Sequence, residues 1–367
     1  METQKIHRLE SLDVLRGMTI ALMIIVNSPG NASPYTWLAH SAWHGCSLAD
    51  LVFPFFIVIV GISCYFSLCH GNENTTSVDR TKTMLKIGKR TLYLLGIGLF
   101  LNAFPYHFDL HTLRLPGVLQ RIAICYGVTA VLAITTSIRT QWIILCVLLL
   151  GYWLLLAESY AWYPLTPAQN IVSAVDRAIL SASHLYTPQY DPEGILSTLP
   201  AIGSCLMGNL IGYTMMRYAT QRQQFQCLVI IGALLCGTGG IWGGYFAWNK
   251  TLWTSSYVLW TCGLCTLLFA GCFFLIEIKH ALRWSRPLAL FGKNALLIYV
   301  IHIVLLKMQA IIHIKNGSGQ LENLRMYITD TLFGGLSPQN AALCYAGTFT
   351  LLCFWILRCK RSMKVKL

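Results

Sequence analysis

Apolar runs long enough to cross a bilayer recur from one end of this chain to the other, among them "GMTIALMIIVN", "LADLVFPFFIVIVGISCYFSL", "WIILCVLLLGYWLLL" and "LVIIGALLCGTGGIWGGYFAW". A spanning helix needs about 20 predominantly apolar residues, so the longer runs are spans and the shorter ones imply a buried or interrupted helix. Charged residues make up only 11% of the 367, against 55% hydrophobic, too apolar for a water-soluble globule of this length. The fold class read from this pattern is all-α, a polytopic transmembrane bundle of about ten helices. They are expected near 17–33, 48–69, 90–104, 117–137, 141–157, 198–216, 226–247, 255–277, 293–309 and 339–357. The first segment follows "RLESLDVLRG" without a small-residue cleavage site and is expected to stay as an anchor. No internal repeat or soluble segment interrupts the pattern, so 1–367 reads as one domain, and the missing inverted repeat argues against a secondary transporter.

The net charge of +13 invites a polyanionic partner, but the placement of the cations accounts for it. With both termini cytoplasmic, 20 of the 27 Lys and Arg residues fall inside and 6 outside, with Arg121 in a span. That is the positive-inside distribution, and it requires no nucleic acid. The 14 cysteines lie nearly all in apolar spans, where they behave as small hydrophobes. "CGLC" at 262–265 has redox spacing but sits mid-span and reads as packing. "GNLIG" at 208–212 fits close helix packing.

Long outside stretches at 28–47, 158–197 and 310–338 are the places to look for function. The richest is "HSAWHGCSLADLVFPFF" at 40–56. His40 and His44 fall at the mouth of the second helix, and Asp50 enters the helix itself. Histidine takes and returns a proton near neutral pH, so His40 suits a general base or acyl acceptor; a lone loop histidine is also a common interface group. Asp50 suits either a first-turn dipole partner or a substrate contact. Before them, "IIVNSPGNASPYTWLAH" leaves an apolar helix through Asn27, Pro29, Gly30 and Pro34, and irregular backbone at membrane depth survives only where it is buried or lines a cavity. Asn27 suits an amide donor to a developing oxyanion, or a cap on the first helix. A metal is not expected, since His40 and His44 lack further ligands at recognisable spacing.

Other motifs carry charge into or beside the membrane. "RLPGVLQR" places Arg114 at the outside mouth and Arg121 in a helix, where an arginine needs carboxylate, carbonyl or phosphate partners. "YDPEGIL" places Asp191 and Glu193 outside, fit either to hold a cationic amino sugar or to fix a turn. Arg283, Arg286 and Lys293 in "RWSRPLALFGKN" suit coenzyme phosphates or simple positive-inside charge. His302 is expected to make an interhelical hydrogen bond.

Taken in order, "SLDVLRG", "VNSPG", "HSAWHGCSLADLVFPFF", "RLPGVLQRIAICY", "YDPEGILSTLPAI", "NKTLWTSSYV" and "FGKNALLIYVIH" resemble the heparan-alpha-glucosaminide N-acetyltransferase family and its shorter bacterial, NagX-type relatives, from about residue 8 to about residue 305. The resemblance implies a membrane enzyme that takes the acetyl group of cytosolic acetyl-CoA and places it on the amino group of a glucosamine-type sugar across the membrane. It implies His40, first of the "HxxWxG" stretch, and Asn27 as catalytic residues. Asp50, Arg114, Asp191 and Glu193 are then candidate substrate contacts, and Arg121, Arg283, Arg286 and Lys293 candidate contacts to the coenzyme. Expected partners are acetyl-CoA, an amino sugar or glucosamine-terminated oligosaccharide and the lipid bilayer, with a homodimer left open, in a bacterial inner membrane. An amino-sugar transporter and an O-acetyltransferase of an envelope glycan are the rival readings.

Overall fold

The computed structural model describes residues 9–69, 77–105, 108–316 and 319–362. It is predominantly helical. Six helices among the described residues are long and apolar enough to cross a membrane, and a bent pair adds a seventh, which makes this an integral membrane protein. The chain gathers into two compact units. The first is built on Phe53–Ile278 with Ala42–Cys46; the second comprises Glu10–Ser41, Ser47–Val52 and the chain from Lys279 on.

The second unit opens with α1 (Glu10–Asn27), which stops before Pro29 rather than running to residue 33. Proline disfavours helix in the residue before it, so the apolar run ends where the backbone can no longer be helical. The helix α2 (Leu48–Cys64) follows and continues through a π-turn, Tyr65–Cys69. Its first residues belong to the second unit and the rest to the first.

In the first unit come α3 (Ser77–Ala103), α4 (Val118–Thr135), α5 (Ile138–Ser159), α6 (Ile171–Leu180), α7 (Thr198–Met216), α8 (Gln221–Gly243) and α9 (Ser255–Phe273). Helix α7 is its centre: it packs against α4, α5, α8 and α9 and is buried on nearly every face. A Cβ on Gly208 would lie 2.2 Å from the Val58 carbonyl oxygen, and one on Gly61 1.8 Å from that of Cys205, so glycine lets α2 and α7 touch backbone to backbone. Cys262 and Cys265 are buried, unlinked core residues. Helix α3 begins thirteen residues earlier than its apolar part, because the charged stretch ahead contains no proline to break it. The short α6 was not expected; Asn170 caps it by accepting the Ser173 N–H at 2.7 Å.

The second unit resumes with α10 (Arg286–Lys293) and α11 (Ala295–Ile311), bent by 83° at Asn294. A two-stranded antiparallel ribbon, β1 (His313–Lys315) and β2 (Leu321–Asn323), pairs Ile314 with Glu322 and leads into α12 (Leu324–Phe333) and α13 (Pro338–Ser362). Helices α1 and α10 interlock: a Cβ on Gly17 would meet the Leu288 carbonyl oxygen at 1.8 Å, and one on Gly292 the Asp13 carbonyl oxygen at 1.8 Å. Arg16 donates to Asp13 at 3.1 Å and to the Gly292 carbonyl at 3.4 Å, so "SLDVLRG" fastens these two helices.

Candidate active site

The stretch 40–50 folds back so that the side chains at its two ends meet. Asp50 lies in the first turn of α2, buried to 2% of its side chain, and its Oδ1 is 2.8 Å from His40 Nδ1. Its other oxygen, Oδ2, accepts three hydrogen bonds, from the Ser41 N–H at 3.0 Å, the Ser47 N–H at 3.1 Å and the Ser47 hydroxyl at 3.0 Å. Oδ2 thus acts as an acceptor throughout, as an ionised carboxylate oxygen does. An anionic Oδ1 at hydrogen-bond distance requires Nδ1 to carry the proton, which makes Nε2 the basic nitrogen of the neutral ring. With half of its side chain open to solvent, His40 is accessible to a ligand while its partner is not. The arrangement therefore supplies an accessible base whose tautomer is fixed by a buried acid, a pairing suited to proton transfer.

Asn27, the last residue of α1, is exposed, and its amide has no hydrogen-bond partner among the described residues. Its turn is built tightly: the Gly30 N–H donates to the Ala342 carbonyl at 3.3 Å, and Thr329 Oγ1 donates to the Gly30 carbonyl at 3.1 Å. A Cβ at Gly30 would strike Thr329 and Tyr345 within 2.8 Å, so α12 and α13 hold the "VNSPG" turn in place. Also in this unit, Arg283, Arg286 and Lys293 are exposed and free of ion pairs among the described residues, Arg286 and Lys293 at the two ends of α10. His302 is fully buried in α11, and neither ring nitrogen has a partner among the described residues, so the expected interhelical hydrogen bond is not formed.

The first unit holds the second constellation. Arg114 forks onto Asp191, with Nε to Oδ2 at 2.8 Å and Nη2 to Oδ1 at 2.6 Å, and Nη2 also reaches Glu193 Oε2 at 2.6 Å. Burial by itself would lower the Arg114 pKa, but the two carboxylates outweigh it and hold the guanidinium above its ordinary value. Asp191 accepts the Tyr186 and Glu193 backbone N–H groups as well, at 2.7 and 2.9 Å. Both acids are thus engaged by Arg114, Asp191 by two backbone amides as well, and the pairing fixes the loop ahead of α7.

Arg121 is enclosed in the same unit. Its Nη2 donates to the Gly194 carbonyl at 3.0 Å and to Ser197 Oγ at 2.5 Å, and its guanidinium lies 5.1 Å from the Trp253 ring centroid. The Nε and Nη1 groups are buried and have no hydrogen-bond partner among the described residues. Sequence reasoning did not single out Asp176, which sits on the unexpected α6. Its Oδ1 accepts the N–H groups of Ile195 and Leu196 at 2.8 and 3.3 Å, supporting the start of α7, while Oδ2 is buried with no hydrogen-bond partner among the described residues. Gly194 of "YDPEGIL" admits this carboxylate, since a Cβ there would lie 1.7 Å from Oδ2. Burial raises the Asp176 pKa above the ordinary carboxylate value, against the opposing pull of those two amides. The remaining part of the histidine loop belongs here: the Trp43 indole donates to the Leu165 carbonyl at 2.7 Å, the Gly45 N–H to the Trp248 carbonyl at 2.8 Å, and His44 Nδ1 approaches the Asn249 amide at 3.5 Å.

Residues 8–238 match the family described as heparan-alpha-glucosaminide N-acetyltransferase, catalytic. The chain belongs to this family. Among curated proteins it is similar to the human heparan-alpha-glucosaminide N-acetyltransferase, at 28% identity over 361 residues, covering 81% of this chain and 53% of that protein. The mouse protein of the same name is 27% identical over 367 residues, covering 82% and 54%. The chain therefore spans about half the length of the curated relatives it matches. Within this acetyltransferase family, the matched region contains both the His40–Asp50 pair and the Arg114–Asp191–Glu193 fork.

Proposed function

We propose that this protein is a transmembrane acetyltransferase that moves the acetyl group of cytosolic acetyl-CoA to the amino group of a glucosamine-type sugar on the opposite face of the membrane. The observation that carries the reading is the 2.8 Å contact between His40 and a buried Asp50 in a chain of this family. An amine attacks a thioester only as the free base, so the sugar ammonium must first lose a proton. His40 Nε2 accepts that proton, and Asp50 stabilises the imidazolium that results. The amine then forms a bond to the acetyl carbonyl carbon. The bond to sulfur breaks, the proton held by His40 leaves with the coenzyme thiolate, and the nitrogen's second proton passes to solvent as the neutral amide forms. Asn27, its amide unengaged among the described residues, donates to the oxyanion of the tetrahedral intermediate.

Direct transfer within a ternary complex is favoured over an acetyl-histidine, because a base role needs only a proton shift, whereas an acyl-imidazole beside an open loop is exposed to hydrolysis. Arg283, Arg286 and Lys293 carry no competing protein anions among the described residues, which suits them to the coenzyme phosphates. The Arg114 fork and Arg121 hold the loop before α7.

Purified protein in nanodiscs, given labelled acetyl-CoA and a panel of glucosamine, its short oligomers and hydroxyl-only sugars, tests the reading. Amide-linked label on amino sugars, abolished by His40→Ala, is the expected result. Alkali-labile label on hydroxyl-only sugars would make it an O-acetyltransferase. Sugar uptake into vesicles without any acetyl-CoA would make it a transporter.

A further inference from the structure

Among the described residues, helix α3 packs against α4 with one face, and its opposite face is uncovered. At 100° per residue, Lys82, Lys86, Lys89, Tyr93 and Phe100 fall within about 60° of one another. All five are exposed, with Tyr93 at 64% and Phe100 at 51%, and Leu85 and Leu92 beside them are 60% and 69% exposed. The buried residues Ile87, Leu94 and Leu101 lie on the other side. None of the three lysines has an ion pair or a hydrogen bond among the described residues, even though Arg90, nearby, is engaged over the Tyr126 ring at 4.6 Å.

One uncovered stripe thus changes from ammonium groups to aromatic and aliphatic ones along the helix. Lys82 to Lys89 rises about 10 Å, comparable with one headgroup layer, and the stripe continues roughly 17 Å further to Phe100, into hydrocarbon depth. A soluble anion would have no use for the exposed Leu85, Tyr93 and Phe100. A second copy of the chain meeting this face across a two-fold axis would set lysine against lysine. A phospholipid with a net negative headgroup satisfies both halves, its phosphate among the ammonium groups and its acyl chain along the apolar part.

We infer that the Lys82, Lys86 and Lys89 stripe of α3 is a docking site for anionic phospholipid in the leaflet where α3 begins, and that this lipid fastens the helix to the bilayer. Each lysine near an anionic surface strengthens association about fivefold, so removing all three weakens it about a hundredfold. The test uses full-length protein in mild detergent, titrated with phosphatidylglycerol or phosphatidylcholine. Retained lipid is read by native mass spectrometry and stability by thermal midpoint.

Wild type is expected to retain phosphatidylglycerol and gain thermal stability from it. The triple variant Lys82→Gln, Lys86→Gln, Lys89→Gln should lose both effects, and the Lys→Arg triple should keep them, which separates charge from folding. Equal retention by the Gln triple, or an equal response to phosphatidylcholine, overturns the site. So does the same loss in Arg217→Gln, Arg222→Gln, which would assign the effect to overall charge, or a change confined to oligomeric state, which would assign the face to another copy of the chain.

Discussion

Replacing Asp50 by asparagine changes one atom and reverses one hydrogen bond. Oδ2 accepts from two backbone N–H groups and a hydroxyl, and the two N–H groups cannot turn into acceptors. The asparagine oxygen must therefore take the Oδ2 position, which sets the NH2 group opposite His40 Nδ1. That nitrogen must then accept, so the ring proton moves to Nε2 and the base is lost from the side that faces a ligand. A correctly placed general base is worth about 10²–10⁴ in rate, or about 3–5 kcal/mol in the barrier. Asp50→Asn is accordingly expected to lower kcat by about 10²–10⁴ while leaving the Kd for acetyl-CoA within about threefold, because the buried site keeps its volume and most of its hydrogen bonds. The assay is single-turnover transfer of labelled acetyl to glucosamine in nanodiscs, with binding measured separately by calorimetry. A variant that transfers acetyl within threefold of wild type would sink the tautomer argument. A variant that fails to bind the donor would show Asp50 to be structural.

Asn27→Ala is expected to lower kcat about 10²–10³-fold with little change in KM, the mark of a donor used only in the transition state, and an effect confined to KM would remove it from that role. Gly292→Ala puts a Cβ 1.8 Å from the Asp13 carbonyl oxygen and should cost about 3 kcal/mol or more, read as a lowered thermal midpoint. Gly88→Ala, which meets nothing within 4 Å, should leave stability unchanged or raise it slightly, and equal behaviour of the two variants would refute the close crossing. For Asp176 the raised pKa means the folded state favours the protonated acid. Its stabilising contribution is complete on the acid side of the ordinary carboxylate value and is lost as pH rises through the raised one. Asp176→Asn should therefore raise the thermal midpoint above wild type at neutral pH and converge with it in acid; a pH-independent difference would contradict this.

Much of the architecture could be read directly from the chain, and the exceptions have identifiable causes. Helix α7 runs over 198–216 as expected, because an uncharged run between "YDPEG" and Arg217 leaves little choice of boundary. Hydropathy overshot the end of α1, since it weighs Ser28 to Ser33 by polarity and does not register that Pro29 stops a helix. It undershot the start of α3 for the converse reason, because Lys82, Lys86 and Lys89 are good helix formers that look like loop on a hydropathy scale. Helix α6 is too short and too polar to register as a span, and Asp176 was missed with it. At the candidate site, the paired side chains were visible as residue types, but their pairings were not. That Asp50 turns back to His40, and that Arg114 meets residues 77 and 79 positions away, depends on loop paths that no local pattern encodes.

The acid of the His40–Asp50 pair is oriented by its own neighbourhood: Oδ2 accepts from Ser41 and from Ser47. Residues 40–50 therefore contain the histidine, its acid and contacts that align the acid. Alignment supplied by such near neighbours travels with the segment, so an engineer redesigning distant parts of the chain keeps it by leaving 40–50 and the Asn27 turn unchanged.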